Sequence, residues 1–257
     1  MSEPSLPPVQ IVGAGPGAPD LLTLRAAEAI QRAQVLLWTD SLVNPRIVAL
    51  APPDCERIPT STLTLEEVIA ALVQRARAGL RVVRLHDGDP CLYGALAEQI
   101  CRLAEAGLEV EVVPGLSAYQ ATAAALQSEL TLPGVVQTIV LSRAAGRTGM
   151  PEGESLARLA ALRATLCLYL SARHVEEVQE ELLRHYPADT PVAIGYRVSW
   201  PDQWLQVVPL QQMAATSQQR GLIRTTLYVV SPALAGAGQA RSLLYSAEHH
   251  HLFRGGA

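Results

Sequence analysis

Three short turns hold most of the residues in this chain that could do chemistry: Gly13-Ala-Gly-Pro-Gly-Ala-Pro-Asp20, Asp87-Gly-Asp-Pro90 and Pro114-Gly-Leu-Ser-Ala118. Backbone without side chains lets a ligand come close to main-chain N–H and C=O groups, and the Asp89 carboxylate can accept a bond from a free backbone N–H. What is missing narrows the chemistry further. All 20 basic residues are arginine, which excludes a Schiff-base lysine, a pyridoxal-phosphate lysine and a Walker-type phosphate lysine. Cys55, Cys91, Cys101 and Cys167 form no C-x-x-C pair, so neither a zinc site nor a disulfide framework is expected and a reducing compartment is the default. His86, His174 and His185 stand alone, and His249-His-His251 lies in a polar tail with no partner cluster; no metal site is expected.

The first turn admits two readings. Gly13-x-Gly15-x-x-Ala18 satisfies a loose dinucleotide fingerprint, with Asp40 near the distance of a ribose-binding acid, so a nicotinamide or flavin oxidoreductase is one hypothesis. The objection is steric. A pyrophosphate site needs the helix to start inside the glycine loop, with its N–H groups aimed at the phosphates. Pro16 and Pro19 remove two donors, and the helix is expected only after Asp20. The loop suits a ligand without phosphates.

The elements that must position these turns follow from the apolar pattern. Strands are expected at Val9–Val12, Val35–Trp38, Val82–Leu85 and Glu109–Val113, alternating with helices over Leu21–Ala33 and from a Thr64 cap to a Gly79 stop. A further helix is expected to start at Pro90, capped by Asp89, with Leu92, Leu96, Ile100 and Leu103 on one face and Gly107 closing it. Asn44 to Pro59 reads as turn-rich. The alternation predicts a parallel sheet whose strand ends carry the three turns, where open α/β sheets place ligands. In the second half, a small-residue helix, Tyr119–Leu126, precedes strands Gln137–Leu141 and Leu166–Leu170, helix Val175–Tyr186, and strands Pro191–Arg197, Trp204–Val208 and Thr225–Val230. The Pro191 and Trp204 runs are too close for a helical crossover, so a mixed sheet is expected there. The chain is therefore read as two α/β domains, 9–115 with a parallel sheet and 116–236 with a mixed sheet, hinged near Pro114-Gly115. A disordered tail, 1–8, would precede them and another tail, 237–257, would follow.

Composition agrees with a folded, soluble protein: of 257 residues 49% are hydrophobic and 17% charged. A net charge of −4 argues against a general nucleic-acid binder. The N-terminus lacks a secretory signal and no apolar run could span a membrane. The expected location is the cytoplasm.

In order and spacing, Gly13-Ala-Gly-Pro-Gly-Ala-Pro-Asp20, Asp87-Gly-Asp-Pro-x-x-Tyr-Gly94 and Val113-Pro-Gly-Leu-Ser117 resemble the tetrapyrrole methylases that use S-adenosylmethionine, over about Val9 to Ser231. Asp40-Ser-Leu-Val43, Ser142-Arg-Ala-Ala-Gly-Arg-Thr148, Ser199-Trp-Pro-Asp202 and the tail Arg241 to Arg254 are similar to the group acting at C11 of precorrin-4 or cobalt-precorrin-4 in cobalamin (vitamin B12) synthesis. Rival readings are another tetrapyrrole methylase, acting on uroporphyrinogen III or another precorrin, and a non-catalytic sensor on the same fold.

The resemblance implies a homodimer with S-adenosylmethionine held between the two domains, S-adenosylhomocysteine as product, and a precorrin as substrate. Carried over by motif position, the cofactor contacts are Pro16, Asp87, Gly88, Asp89, Leu92, Ser117 and Ala118 from the first domain, and Leu170, Val198, Thr225 and Thr226 from the second. Asp87 and Val198 depart from the smaller residues common in relatives. No catalytic residue is singled out. On the substrate side, Asp40 is the first polar candidate, with capping of its own turn as the plainer reading. Arg143 and Arg147, then Arg46 and Arg197, are candidates for substrate carboxylates, which arginine binds at two points. Trp200 is read either as a macrocycle contact or as packing.

Overall fold

The computed structural model describes residues 6–146 and 149–236, which fall into two units. The first comprises the chain up to Thr122 together with Arg197–Gln203; the second comprises Ala123–Tyr196 and the chain from Trp204 onward. Gly115, expected in a hinge, thus lies inside the first unit.

The first unit is built on β1 (Val9–Gly13), α1 (Leu24–Gln31), β2 (Val35–Trp38), α2 (Pro45–Val48), β3 (Glu56–Pro59), α3 (Leu65–Arg77), β4 (Val82–His86), α4 (Leu96–Glu105), β5 (Val110–Val113) and α5 (Ala118–Ala125), the last of which runs across the unit boundary. The strands pair in the order β3-β2-β4-β1-β5, and every neighbouring pair is parallel. Successive side chains point to opposite faces, so Val12, Leu36, Val83 and Leu85 pack with Ala26, Ile30 and Ile47. Val9, Ile11, Val35 and Leu37 pack on the other face with Val68, Leu72 and Leu103. A sheet buried on both sides explains why these strands read as continuous apolar runs.

From β1 the chain passes over β4 to reach β2, and from β4 it passes over β1 to reach β5. The two connections diverge, which makes the carboxyl ends of β1 and β4 the topological switch point where such sheets bind ligands. The expected caps are largely present: Thr64 and Glu67 form a reciprocal capping box on α3.

Three expectations need correction. Glu56–Pro59 is a strand, short and largely exposed, paired only with β2 at the sheet edge; with no apolar run and a terminal proline it resembles a turn in sequence. Pro45–Val48, in the same stretch, is a short helix capped by Asn44. Helix α4 starts at Leu96, not Pro90, because Tyr93 (φ 59°) and Ala95 (φ 48°) are left-handed and break the α backbone between them.

The second unit contains β6 (Ile139–Arg143), α6 (Leu156–Ala160), β7 (Thr165–Tyr169), α7 (Val175–Leu183), β8 (Pro191–Tyr196), β9 (Trp204–Pro209), α8 (Met213–Gln219) and β10 (Thr226–Val230). Its sheet has the order β6-β7-β10-β8-β9; only β6 and β7 are parallel, which makes it the expected mixed sheet. Leu166, Leu168, Leu182, Ile194, Met213 and Tyr228 form the centre of its core. Helices α6 and α8 were not expected from the sequence; each is under eight residues, shorter than a periodic pattern can reveal.

Candidate functional site

The site of the first unit begins with three glycines that fit against one another. A Cβ added at Gly13 would stand 2.6 Å from Gly115 N and 2.7 Å from the Gly88 carbonyl oxygen, and one at Gly115 would stand 2.2 Å from that same oxygen. No side chain fits at either position. The turns after β1, β4 and β5 are thereby interlocked, and hydrogen bonds complete the joint. Gly15 N–H donates to Gly88 O (3.1 Å), Gly88 N–H donates back to Gly15 O (2.9 Å), and Ala14 N–H donates to His86 O (2.7 Å).

Asp89 acts here as a brace instead of a helix cap. One carboxylate oxygen accepts from Cys91 N–H (2.8 Å) and the other from Gly115 N–H (2.9 Å), so the turn after β4 holds the turn after β5. Gln99 secures the rest of that turn by donating to Gly94 O (2.9 Å) while its amide meets His86 Nε2. Burial, and then the neighbouring Arg84 charge, push the His86 pKa down to about 4, so the ring is neutral near neutral pH.

Arg84 is itself buried, its guanidinium donating to Thr60 Oγ1 (3.1 Å) and Thr39 Oγ1 (3.3 Å), which ties the ends of β2, β3 and β4 together. Desolvation lowers its pKa to about 10, against the pull of Asp87. Asp87 keeps a face open to solvent, yet protein crowds its carboxyl. Desolvation raises its pKa, and its own backbone N–H and the Arg84 charge act in the other direction. Beyond Thr39, the Asp40 carboxylate accepts from Ser61 N–H (2.9 Å) and Ser61 O–H (2.7 Å). The Ser61 hydroxyl bond is the main cause of its lowered pKa. It therefore joins β2 to β3 and does not cap its own turn.

The loop after β1 is fixed by side chains at three successive residues. Trp200 Nε1 donates to Pro16 O (2.9 Å), Asn44 Nδ2 donates to Gly17 O (2.8 Å), and Ala18 N–H donates to Ser199 Oγ (3.0 Å). Trp200 lies directly against Gly17, so it packs on the protein itself. Arg197 stacks on the Trp200 ring at 3.9 Å and pairs with Asp202, which occupies the guanidinium that the sequence offered to a substrate. Val198 is buried in this segment and so belongs with the first unit, not the second.

In the second unit the sheet register gathers the remaining candidates at one end. Arg143 faces Tyr169 across β6 and β7, Thr226 faces Tyr196 across β10 and β8, and Leu170 directly follows β7 at the same end of the sheet. Leu170 (φ 52°) and Thr225 (φ 54°) are both left-handed. A β-branched or bulky residue there is strained, a state found most often at functional sites. The Arg143 guanidinium closes its own loop, donating to Gly149 O (2.9 Å) and Ala144 O (3.2 Å). Arg46 is exposed on α2. Arg147 and the His249–His251 run lie outside the described residues.

What ligand fits the first-unit turns is decided by their donors. Ala14, Gly15 and Ala18 have given their N–H groups to His86 O, Gly88 O and Ser199 Oγ, and Pro16 and Pro19 have none. Helix α1 begins only at Leu24, with Thr23 Oγ1 accepting from Ala26 N–H (3.1 Å). A pyrophosphate would find most of the loop's amides already paired or replaced by proline, and a helix that starts only after the loop. A phosphate-free, cationic ligand suits the same surface.

The sequence model of the tetrapyrrole (corrin/porphyrin) methylases matches residues 8–214. The chain belongs to this family. Among its methylase relatives, the precorrin-4 C(11)-methyltransferase of Pseudomonas aeruginosa is 47% identical over 96% of this chain and 99% of its own length. A crystallised cobalt precorrin-4 methyltransferase superposes with a TM-score of 0.85 at 37% identity, covering 88% of this chain and 95% of that one. A uroporphyrin-III C-methyltransferase from Thermus thermophilus, solved in complex with S-adenyl homocysteine, has a TM-score of 0.75 at 28% identity, covering 89% and 99%.

Asn44, Ser61, Ser199 and Gln99 were missed as site-building residues. Asn44 carried a usable signal, since Asn before Pro45 marks a helix start. Ser61 and Ser199 act through partners far away in sequence, and Gln99 through a turn whose left-handed backbone no local pattern discloses.

Proposed function

We propose that the protein transfers a methyl group from S-adenosylmethionine to C11 of precorrin-4, or of its cobalt form, in cobalamin synthesis, releasing S-adenosylhomocysteine. The observation that carries this reading is the interlock of Gly13, Gly88 and Gly115, in a methylase-family chain whose full-length relatives bear that activity in their names. S-adenosylmethionine supplies a methyl already activated on a sulfonium, so the protein's task is to align two bound reactants, an effect worth about 7–11 kcal/mol of barrier in well-oriented systems.

In this proposal Pro16, Asp87, Gly88, Asp89, Leu92, Ser117 and Ala118, with Leu170, Val198, Thr225 and Thr226, hold the cofactor. Asp87 supplies negative charge beside its cationic groups, and Asp89 acts by keeping two turns in place. Ser117 is buried, with its N–H donating to Gln120 Oε1 (2.8 Å), so its contribution is the fixed start of α5. Thr226 is buried, its hydroxyl donating to Arg224 O (3.0 Å). Asp40, Arg143 and Arg147 are proposed on the substrate side, where Asp40 arrives ionised and already oriented by Ser61. A homodimer and a cytoplasmic location are part of the same proposal. No described helix is long and apolar enough to cross a membrane.

The test is incubation with precorrin-4 and isotopically methyl-labelled S-adenosylmethionine, followed by mass spectrometry and carbon NMR of the product. One added methyl, with the label at C11, is expected. Label at another ring carbon would reassign the substrate position, and absence of transfer to any tetrapyrrole would refute the reading. Calorimetric titration with S-adenosylhomocysteine beside NAD and FAD separates the cofactor question, since only the first should bind.

A further inference from the structure

We infer that Arg197–Gln203 is a positioning strap that pre-forms the cofactor-binding loop after β1, with Trp200 and Ser199 as its positioning residues. The inference deepens the proposed function and rests on it. The segment leaves the second sheet at the end of β8 and re-enters it at β9, yet groups with the first unit. There it adds to the bonds that His86, Gly88 and Asn44 make to a loop with little internal support. Gly13, Gly15 and Gly17 give that stretch the widest backbone freedom available to a chain, and the two prolines deprive it of internal donors.

The strap supplies what is missing. Trp200 bonds Pro16 O, Ser199 bonds Ala18 N–H, and the indole covers Gly17 between them, where a Cβ would come within 2.2 Å of two ring atoms. Arg197 lies over the indole at 3.9 Å and is anchored by Asp202, and Ser199 N–H donates to Gln203 Oε1 (2.8 Å). Arg197 (φ 45°) and Ser199 (φ 74°) are both left-handed, so the strap bends sharply to present these groups. A loop held in its bound conformation before the ligand arrives binds more tightly, because the ordering cost is removed from the binding step.

The experiment uses the full chain and four proteins: wild type, Trp200→Phe, Ser199→Ala and Tyr186→Phe. Trp200→Phe keeps an aromatic ring but loses the Nε1–Pro16 bond and part of the indole's cover over Gly17. Tyr186→Phe is the control for general destabilisation, as it loses a buried hydrogen bond to Ala164 O in the second unit (2.8 Å). The readouts are the calorimetric Kd for S-adenosylhomocysteine, and hydrogen exchange of the Gly13–Thr23 peptide in the ligand-free protein. Each strap variant should weaken binding by about two- to tenfold, the effect of one lost hydrogen bond, and speed exchange in that peptide. Tyr186→Phe should do neither while lowering the melting temperature. Wild-type Kd and exchange in both strap variants would overturn the strap alone. Equal weakening in Tyr186→Phe would overturn it too, by tracing the loss to stability. If wild type failed to bind S-adenosylhomocysteine, the cofactor reading would fall, and the strap inference with it.

Discussion

Gly115→Ala tests the interlock on which the site depends. The added Cβ would lie 2.2 Å from the Gly88 carbonyl oxygen, 2.9 Å from Gly13 Cα and 3.0 Å from Gly13 C. All three are backbone atoms of strand ends or tight turns, so no side chain can swing away and the turns themselves must separate. Overpacking of this kind costs about 1–3 kcal/mol, and a clash with backbone on two sides belongs at the upper end. At about 2–4 °C per kcal/mol for a chain of this size, the melting temperature should fall by roughly 6–12 °C. Separation of the turns should also pull Gly115 N–H from Asp89 and weaken S-adenosylhomocysteine binding by more than about tenfold, the equivalent of about 1.4 kcal/mol. Gly107→Ala is the matched control: its φ is 75° but nothing lies within 4 Å of its added Cβ. It should cost only the roughly 1–2 kcal/mol of a left-handed alanine and leave the Kd unchanged. The assays are thermal unfolding by circular dichroism and calorimetric titration. If Gly115→Ala melted and bound like wild type, the glycines would not be interlocked and this account of the site would be wrong.

Asp89→Asn keeps the side-chain shape but can accept through only one oxygen, so either Cys91 N–H or Gly115 N–H loses its partner; a loss of about 1–3 kcal/mol in urea denaturation is expected. His86 has its pKa lowered to about 4 from an ordinary 6.5, so the unfolded chain binds more protons there between those values. Stability should be unaffected above pH 6.5 and decline by about 3 kcal/mol as the pH falls towards 4, and His86→Asn should flatten that part of a denaturation-against-pH curve. Thr64→Ala removes one half of the capping box on α3 and should cost about 1 kcal/mol without altering cofactor affinity, measured by the same denaturation and calorimetry.

The sequence disclosed most where the cause of structure is local. Val35–Trp38 is an unbroken apolar run between turn residues, Thr64 and Glu67 sit at capping-box spacing, and Pro16 and Pro19 take two amide donors from their loop whatever the tertiary context. Reading failed where a distant partner decides the outcome. Asp89 followed by Pro90 is a sound local helix start, but Tyr93 and Ala95 take left-handed backbone and the carboxylate goes to Gly115. Val198 was assigned to the second half because it lies there in sequence, whereas its segment crosses to the first unit. Arg197 seemed free for a substrate until the Trp200 ring and Asp202 were found beside it. The three glycine turns could be found individually, but that Gly13, Gly88 and Gly115 touch could not.

The return of Arg197–Gln203 to the first unit also sets a clock on biosynthesis. When Thr122 leaves the ribosome, every strand of the first sheet has been made, but Trp200 and Ser199 have not. At about 5–20 residues per second, the glycine loop waits roughly 4–16 s for Gln203 to be synthesised, its Pro16 carbonyl and Ala18 N–H without their strap partners meanwhile. During that interval the nascent sheet can form its core while its ligand loop lacks the strap. A fragment ending at Thr122 would lack the same contacts, so the second half of the chain supplies the last bonds of the first-unit loop.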